Sequence, residues 1–212
     1  VATTKLKKLW KHFRQQPAAT LTMLRAFVRG CFYIVWFRLT SLGRVQIDFP
    51  FFCYTRVCIT GRGRVHIGRD CSVFVNNFER LHIHTLTGEA RVVIGERCSL
   101  GGVTIRCAEE IRLGDCILAA AVLLQDVPFS FPVVRSDRHT VLPAAPISID
   151  DHVWLSGRSM VLPGSSLGEG SVLGICSVLF RQSVGAGYLV LGNPARRPLP
   201  IANLLQMRTH EK

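Results

Sequence analysis

The stretch "VLPGSSLGEGSVLG", residues 161–174, places a branched aliphatic side chain at Val161, Leu167 and Leu173, six residues apart each time. Helices repeat near 3.6 residues and half-buried strands at 2, so neither accounts for the spacing. Followed outward, the same phase takes in Ile149, Leu155 and Leu179. Four residues after each aliphatic stand Val153, Ser159, Ser165, Ser171, Ser177 and Ser183, all small or β-branched. Two positions locked in phase over residues 149–184 predict a chain wound as a triangular prism, each flat side a short parallel strand. The aliphatics then stack inward and the small residues fill tight corners. Looser versions recur upstream in "VHIGRDCSVFV", "VVIGERCSLGGVTI" and "IRLGDCILAAAVLL", with an insertion around 76–91. Strands of an ordinary sandwich alternate and are irregularly spaced.

The 212 residues are 48% hydrophobic, which suits one fair-sized core plus an appendage and argues against a disordered chain. The net charge of +12 is unevenly spread: Val1 to Arg44 holds nine Lys or Arg and no acid, and Asp48 is the first carboxylate. Such a segment attracts nucleic acid, anionic lipid or phosphate-bearing ligands alike. No recognised nucleic-acid module occurs in the chain, so nucleic acid is not an expected partner. Among the eight cysteines no CxxC pair gives a zinc spacing, and Cys53 with Cys58 is a weak match. Cys71, Cys98, Cys116 and Cys176 stand where a small apolar residue would serve, which predicts buried thiols in a reducing compartment.

Within the leader, "KLKKLWKHFRQQP" sets Leu6, Leu9, Trp10 and Phe13 on one helical face, with lysines and Arg14 mostly opposite. This basic amphipathic helix is expected to end before Pro17. A second apolar stretch, "TMLRAFVRGCFYIVWFRLTSLG", reads as a helix closed by Gly43. Its longest charge-free run, Gly30–Phe37, falls short of the about 20 apolar residues that a membrane span needs. No small-x-small cleavage site follows it, which argues against a signal peptide. Residues 1–44 are therefore expected to lie on an anionic membrane surface, as a cytoplasmic protein peripherally attached to the inner membrane, with a helical cap on the domain as the other reading.

The segment "ISIDDHVWLSGRSMVLPGSSLGEGSVLGICSVLF", followed by "LVLGNPARR", resembles the hexapeptide-repeat acyltransferases, in particular the sugar and cell-surface-polysaccharide O-acetyltransferases. The resemblance covers roughly residues 45–200. Its most specific pieces are Val153–Trp154, the Leu-Pro-Gly corner at 162–164 and Gly192-Asn193-Pro194-Ala195. It implies a mostly β fold, a left-handed parallel β-helix with a protruding loop over 127–146; the two N-terminal helices and a tail over 201–212 lie outside the resemblance. It also implies acetyl-CoA as co-substrate, a sugar or glycan acceptor, and a homotrimer with active sites between neighbouring prisms.

On that resemblance Trp154 opens a coil with small neighbours Ser156 and Gly157 where the cofactor arm runs, and small side chains allow close backbone approach. Packing at a subunit interface is the competing role for Trp154. Asn193, Arg196 and Arg197 follow as cofactor-binding candidates, because an Arg fork suits phosphate. The loop of such enzymes carries a catalytic histidine after an acidic residue. Here the matching stretch is "LLQDVPFSFPVV": Asp126 fits the acid, but Ser130 falls where histidine is expected. A serine hydroxyl does not replace imidazole as a base near neutral pH. His139, in "SDRHTVLP", is the one histidine of the loop and the candidate base. His152 is expected at a solvent-facing corner, and His82 and His84 as surface residues without a third metal ligand; no metal site is expected. Two functional readings follow: an acetyl-CoA-dependent O-acetyltransferase acting on a cell-surface polysaccharide or lipid-linked glycan, or a catalytically degenerate member serving as an oligomeric scaffold in glycan assembly. The apolar stretch "PLPIANLLQM" is expected to form a closing helix.

Overall fold

The aliphatics of the six-residue phase line the inner wall of a three-sided parallel β-solenoid. The computed structural model describes residues 17–75, 80–127, 129–132 and 139–203. The first coil consists of Val45–Ile47, Phe51–Cys53 and Val57–Gly61, and the fifth of Ile147–Ile149, Trp154–Leu155 and Met160–Val161. Each strand pairs with the equivalent strands of the coils above and below, building sheets of seven, eight and six strands. All these pairings are parallel except the last: Leu199–Pro200 adds to Tyr188–Val190 in antiparallel sense. In the regular part Ile149 pairs with Leu167, Leu155 with Leu173 and Val161 with Leu179, each 18 positions on.

Ile149, Leu155, Val161, Leu167, Leu173 and Leu179 are all buried, as are Val153, Ser159, Ser165, Ser171 and Ser177. Ser183 departs from the expected phase. The corner at 180–182 is one residue shorter than its counterpart at 162–165, so Val184 turns inward and pairs with Leu167. Ser183 is left facing outward, its hydroxyl 2.7 Å from that of Ser166.

Most of the described corners turn the chain through a left-handed residue. Between the first and second sheets these are Asp70, Arg97, Cys116, His152, Gly170 and Gly187, stacked coil by coil. Asn, Asp and His tolerate this conformation better than other side chains that carry a Cβ. His152 occupies such an exposed corner, its N–H donating to the Asp115 carbonyl (2.8 Å). The cysteine expectation is corrected here. Cys71 and Cys98 are buried in the wall, but Cys116 and Cys176 occupy left-handed corners, half-buried and exposed. In "GDCIL" the inward position belongs to Ile117, one residue after the cysteine.

Helix α1 (Pro17–Thr40) lies across the open end of the first coil. Pro at its first position loses no intrahelical hydrogen bond. Leu42 and Gly43 close it with positive φ, as expected of Gly43. Ala26, Gly30 and Phe37 form its inner stripe, with Tyr33 and Ile34 packed against the core. Arg29 donates to the Tyr54 carbonyl (3.0 Å) and the Tyr33 hydroxyl accepts from the Val57 N–H (3.4 Å). By length and composition Ala18–Thr40 is long and apolar enough to cross a membrane, which corrects the estimate drawn from its short charge-free run. The expected basic helix within residues 5–16 lies outside the described residues. Of the expected closing helix, a helical turn at 201–203 is described and the remainder lies outside.

Candidate functional site

The corner between the second and third sheets forms a ledge of small residues. Gly101–Gly102, Ala120–Ala121 and Ser156–Gly157 lie one coil after another along it. They are joined by hydrogen bonds from Ala121 N–H to Gly101 C=O (2.7 Å), Arg158 N–H to Ala121 C=O (2.8 Å) and Cys176 N–H to Gly157 C=O (3.1 Å). A Cβ on Gly157 would meet only the Ala120 carbonyl oxygen, at 3.9 Å, so the smallness of this residue is not required by internal packing. It leaves the backbone open to the outside instead. Trp154 points outward on the adjoining sheet between Leu118 and Val172 and is 48% exposed.

Two coils beyond Trp154, about 10 Å along the axis at ordinary strand spacing, the ledge ends in Gly192-Asn193-Pro194-Ala195. The turn is docked by the Val178 N–H donating to Gly192 C=O (3.0 Å) and the Ala195 N–H donating to Val178 C=O (2.8 Å). Gly192 has a φ of +113°, and a Cβ on it would meet the Pro194 carbonyl oxygen at 2.9 Å, so this turn requires glycine. Asn193, Arg196 and Arg197 are exposed, and neither arginine forms an ion pair among the described residues. Arg197 borders a depression shared with Tyr188 and Asn203.

The loop excursion leaves after Leu123–Gln125 and returns at Ile147. Its described part is an antiparallel hairpin, Phe129–Pro132 against His139–Leu142, with Ser130 opposite Val141 and Pro132 opposite His139. His139 thus stands at the far end of the pairing, three residues out from the Phe129–Leu142 pair, about 10 Å along the strands. The root is fastened by the Ala145 N–H donating to Asp126 C=O (3.3 Å) and the Gly164 N–H donating to Ala145 C=O (3.1 Å). This root stands at the corner between the third and first sheets, a full sheet face away from the ledge.

Asp126 is fully buried. Its carboxylate accepts from the backbone N–H groups of Ala108 and Glu109 and lies 3.5 Å from the Cys107 sulfur. Asp115 and Asp151 serve neighbouring coils in the same way, accepting from Glu96 N–H and Asp115 N–H. In this structure Asp126, the expected acid of the loop, braces the corner from which the hairpin departs. Asp before a turn was the available signal, but the donors lie 17 and 18 positions away and only the coil pitch brings them close.

His82 and His84 face outward on the third sheet beside Thr104 and Arg106, with His84 Nδ1 2.6 Å from the Thr60 hydroxyl. No group of three His, Cys, Asp or Glu residues able to hold a metal ion occurs among the described residues.

No family model matches the chain. Over 66 residues it is 39% identical to a protein of Staphylococcus aureus strain COL named as an acetyltransferase, covering 31% of this chain and 33% of that protein. Over 115 residues it is 29% identical to a chloramphenicol acetyltransferase of Agrobacterium fabrum strain C58, 51% of each chain. The matched segments span a third to a half of these relatives' lengths. Among solved structures, a mutant of AntD, an N-acyltransferase from Bacillus cereus in complex with dTDP and coenzyme A, superposes with a TM-score of 0.54 at 15% identity, covering 78% of this chain and 88% of that one. The polysialic-acid-specific acetyltransferase NeuO superposes with a TM-score of 0.53 at 21% identity, covering 74% and 70%. The chain has the fold of the hexapeptide-repeat acyltransferases.

Proposed function

We propose that the protein is an O-acetyltransferase that moves the acetyl group of acetyl-CoA to a sugar hydroxyl of a glycan. The observation that carries this reading is the open ledge. Its backbone is unobstructed at Gly157, a half-exposed indole flanks it, and it ends at two arginines that form no ion pair among the described residues. A thioester arm lying there would meet backbone groups along its length and guanidinium groups at its phosphates. In the transfer the acceptor oxygen attacks the thioester carbonyl carbon while a base takes the hydroxyl proton. The carbon–sulfur bond then breaks and the proton is delivered to the departing CoA sulfur. His139 is our candidate for the base. Within one prism the hairpin has to cross a sheet face to reach the ledge, whereas two prisms set corner to corner bring one protomer's hairpin to the other's ledge. This favours a homotrimer with its sites between protomers.

The absence of histidine from "DVPFSF" favours a second reading, in which the ledge is kept but chemistry is lost and the protein is a scaffold for glycan assembly. Titration calorimetry with acetyl-CoA, followed by thiol release over a panel of sugar acceptors, separates the two. The transferase reading expects binding, turnover, and a fall in kcat of about a hundredfold or more for His139→Ala, the usual scale of a lost general base. Turnover untouched by His139→Ala removes that residue from the chemistry. Binding without turnover on any acceptor supports the scaffold, and no binding overturns the ledge assignment.

A further inference from the structure

We propose that the outer face of α1 docks flat on an anionic membrane surface and seats the solenoid on its N-terminal end. The inference is independent of whether the protein transfers an acyl group. A helix packed on a soluble domain is apolar on one side and polar on the other; α1 is apolar on both. Its inner stripe is committed to the first coil. On the opposite side Leu24, Val28, Phe32, Val35, Trp36 and Leu39 are each more than half exposed. By the 3.6-residue period they form one continuous face, a patch that soluble surfaces rarely leave open.

The helix has the length and composition of a membrane span, yet it cannot be surrounded by lipid while it caps the solenoid. Gly30 lies so close to the Phe51 carbonyl that a Cβ there would collide with its oxygen, and Arg29 is tied to Tyr54. Only one side is free, and a helix with one free apolar side lies in the interface plane.

Charge names the kind of surface. The first 64 residues contain twelve Lys or Arg and one acid, Asp48, whereas residues 65–212 contain fourteen and thirteen. Of these, residues 17–64, which run from α1 through the first coil, carry seven arginines and one acid, so the end that α1 covers is basic. Arg25 lies on the outer face, and Arg29 and Arg38 border it. Apolar side chains ringed by arginine match acyl chains beneath anionic head groups, whereas a protein partner would need an acidic rim around an apolar centre. In this stance Trp154, four coils on, stands roughly 20 Å beyond the first coil.

The test is flotation of the full chain with vesicles of phosphatidylcholine alone and with a quarter phosphatidylglycerol. Residues 1–16 stay unchanged in every variant, so their own charge cancels from the comparison. Wild type is expected to float with the anionic vesicles at least tenfold more than with the neutral ones. Phe32→Glu/Trp36→Glu should lower that partition tenfold or more, and Arg25→Gln/Arg38→Gln by about tenfold, with melting temperatures unchanged because all four side chains are exposed. Should the glutamates shift the melting temperature, Leu24→Ser/Leu39→Ser replaces them. Wild type that ignores vesicles, or face variants that float as wild type does, overturns the proposal. So does a face variant that loses self-association in sedimentation without losing flotation, since the face would then cover a second copy.

Discussion

At the scale of single residues, the serines of the six-residue phase do unequal work although they repeat identically in sequence. The Ser171 hydroxyl donates to the Gly185 carbonyl (2.8 Å) and accepts the Tyr188 N–H (3.1 Å), and Ser177 accepts the Gly192 N–H (3.0 Å). Ser159 and Ser165 bury hydroxyls that have no hydrogen-bond partner among the described residues. Removing a partner from a buried donor costs about 1–3 kcal/mol, whereas removing an unpaired buried hydroxyl relieves a desolvation cost. Ser171→Ala should therefore lose about 2 kcal/mol of stability. Ser159→Ala and Ser165→Ala should be neutral or gain up to about 1 kcal/mol. Urea unfolding of the three variants decides it, and equal losses would contradict the assignment of the hydrogen bonds.

At the scale of elements, the cap depends on one close approach. Alanine is a better helix former than glycine by about 1 kcal/mol, so Gly30→Ala would help an isolated helix. Here the added methyl strikes the Phe51 backbone, which has no rotamer with which to escape. We expect a net loss of about 1–3 kcal/mol, with faster amide exchange in the first coil as the helix lifts. Gly88→Ala, with no atom within 4 Å of the new Cβ, is the control. If thermal unfolding treats the two alike, α1 is not anchored at Gly30. Such contacts were not legible in the sequence. The coil pitch was, because each aliphatic meets its own kind 18 positions on and the pattern repeats. The α1–Phe51 contact occurs once, so no repetition announces it, and the Asp126 brace joins residues 17 and 18 positions apart that only the coil pitch brings together. Cys116 misled because it follows Leu113 by three positions, whereas Cys71 and Cys98 follow Ile67 and Ile94 by four, and a shift of one position exchanges wall for corner. The ledge and the Gly-Asn-Pro-Ala turn were recognisable from short specific motifs, whereas the place of His139 depends on how the hairpin leaves the prism.

At the scale of the whole molecule, stacking every coil on the next makes a long, mainly apolar interior, and that interior sets how stability depends on pH. Two thiols are held neutral within it. Burial pushes Cys53 up to about 12 from an ordinary 9.0 against the pull of Arg29, and burial, reinforced by the Asp126 carboxylate, pushes Cys107 up to about 12 as well. In the unfolded chain both ionise near the ordinary value, while the folded chain keeps both protons. Folding therefore favours the protonated form. The stability this contributes is complete below about pH 8 and declines as pH rises from 9 towards 12, because there only the unfolded chain gains by releasing protons. Each thiol accounts for at most about 1.4 kcal/mol per pH unit in that window. Urea midpoints in reducing buffer at pH 8.0, 9.5 and 10.5 should fall more steeply for wild type than for Cys53→Ala/Cys107→Ala. All other titratable groups are common to both proteins, so the difference in slope isolates the two thiols. The double variant starts lower at pH 8, having lost packing in the wall, and the two curves should converge as alkali removes the advantage of the native thiols. Parallel curves would mean that the coils open enough near Cys53 and Cys107 for the thiols to ionise in place, and the interior would then be wetter than its stacking implies.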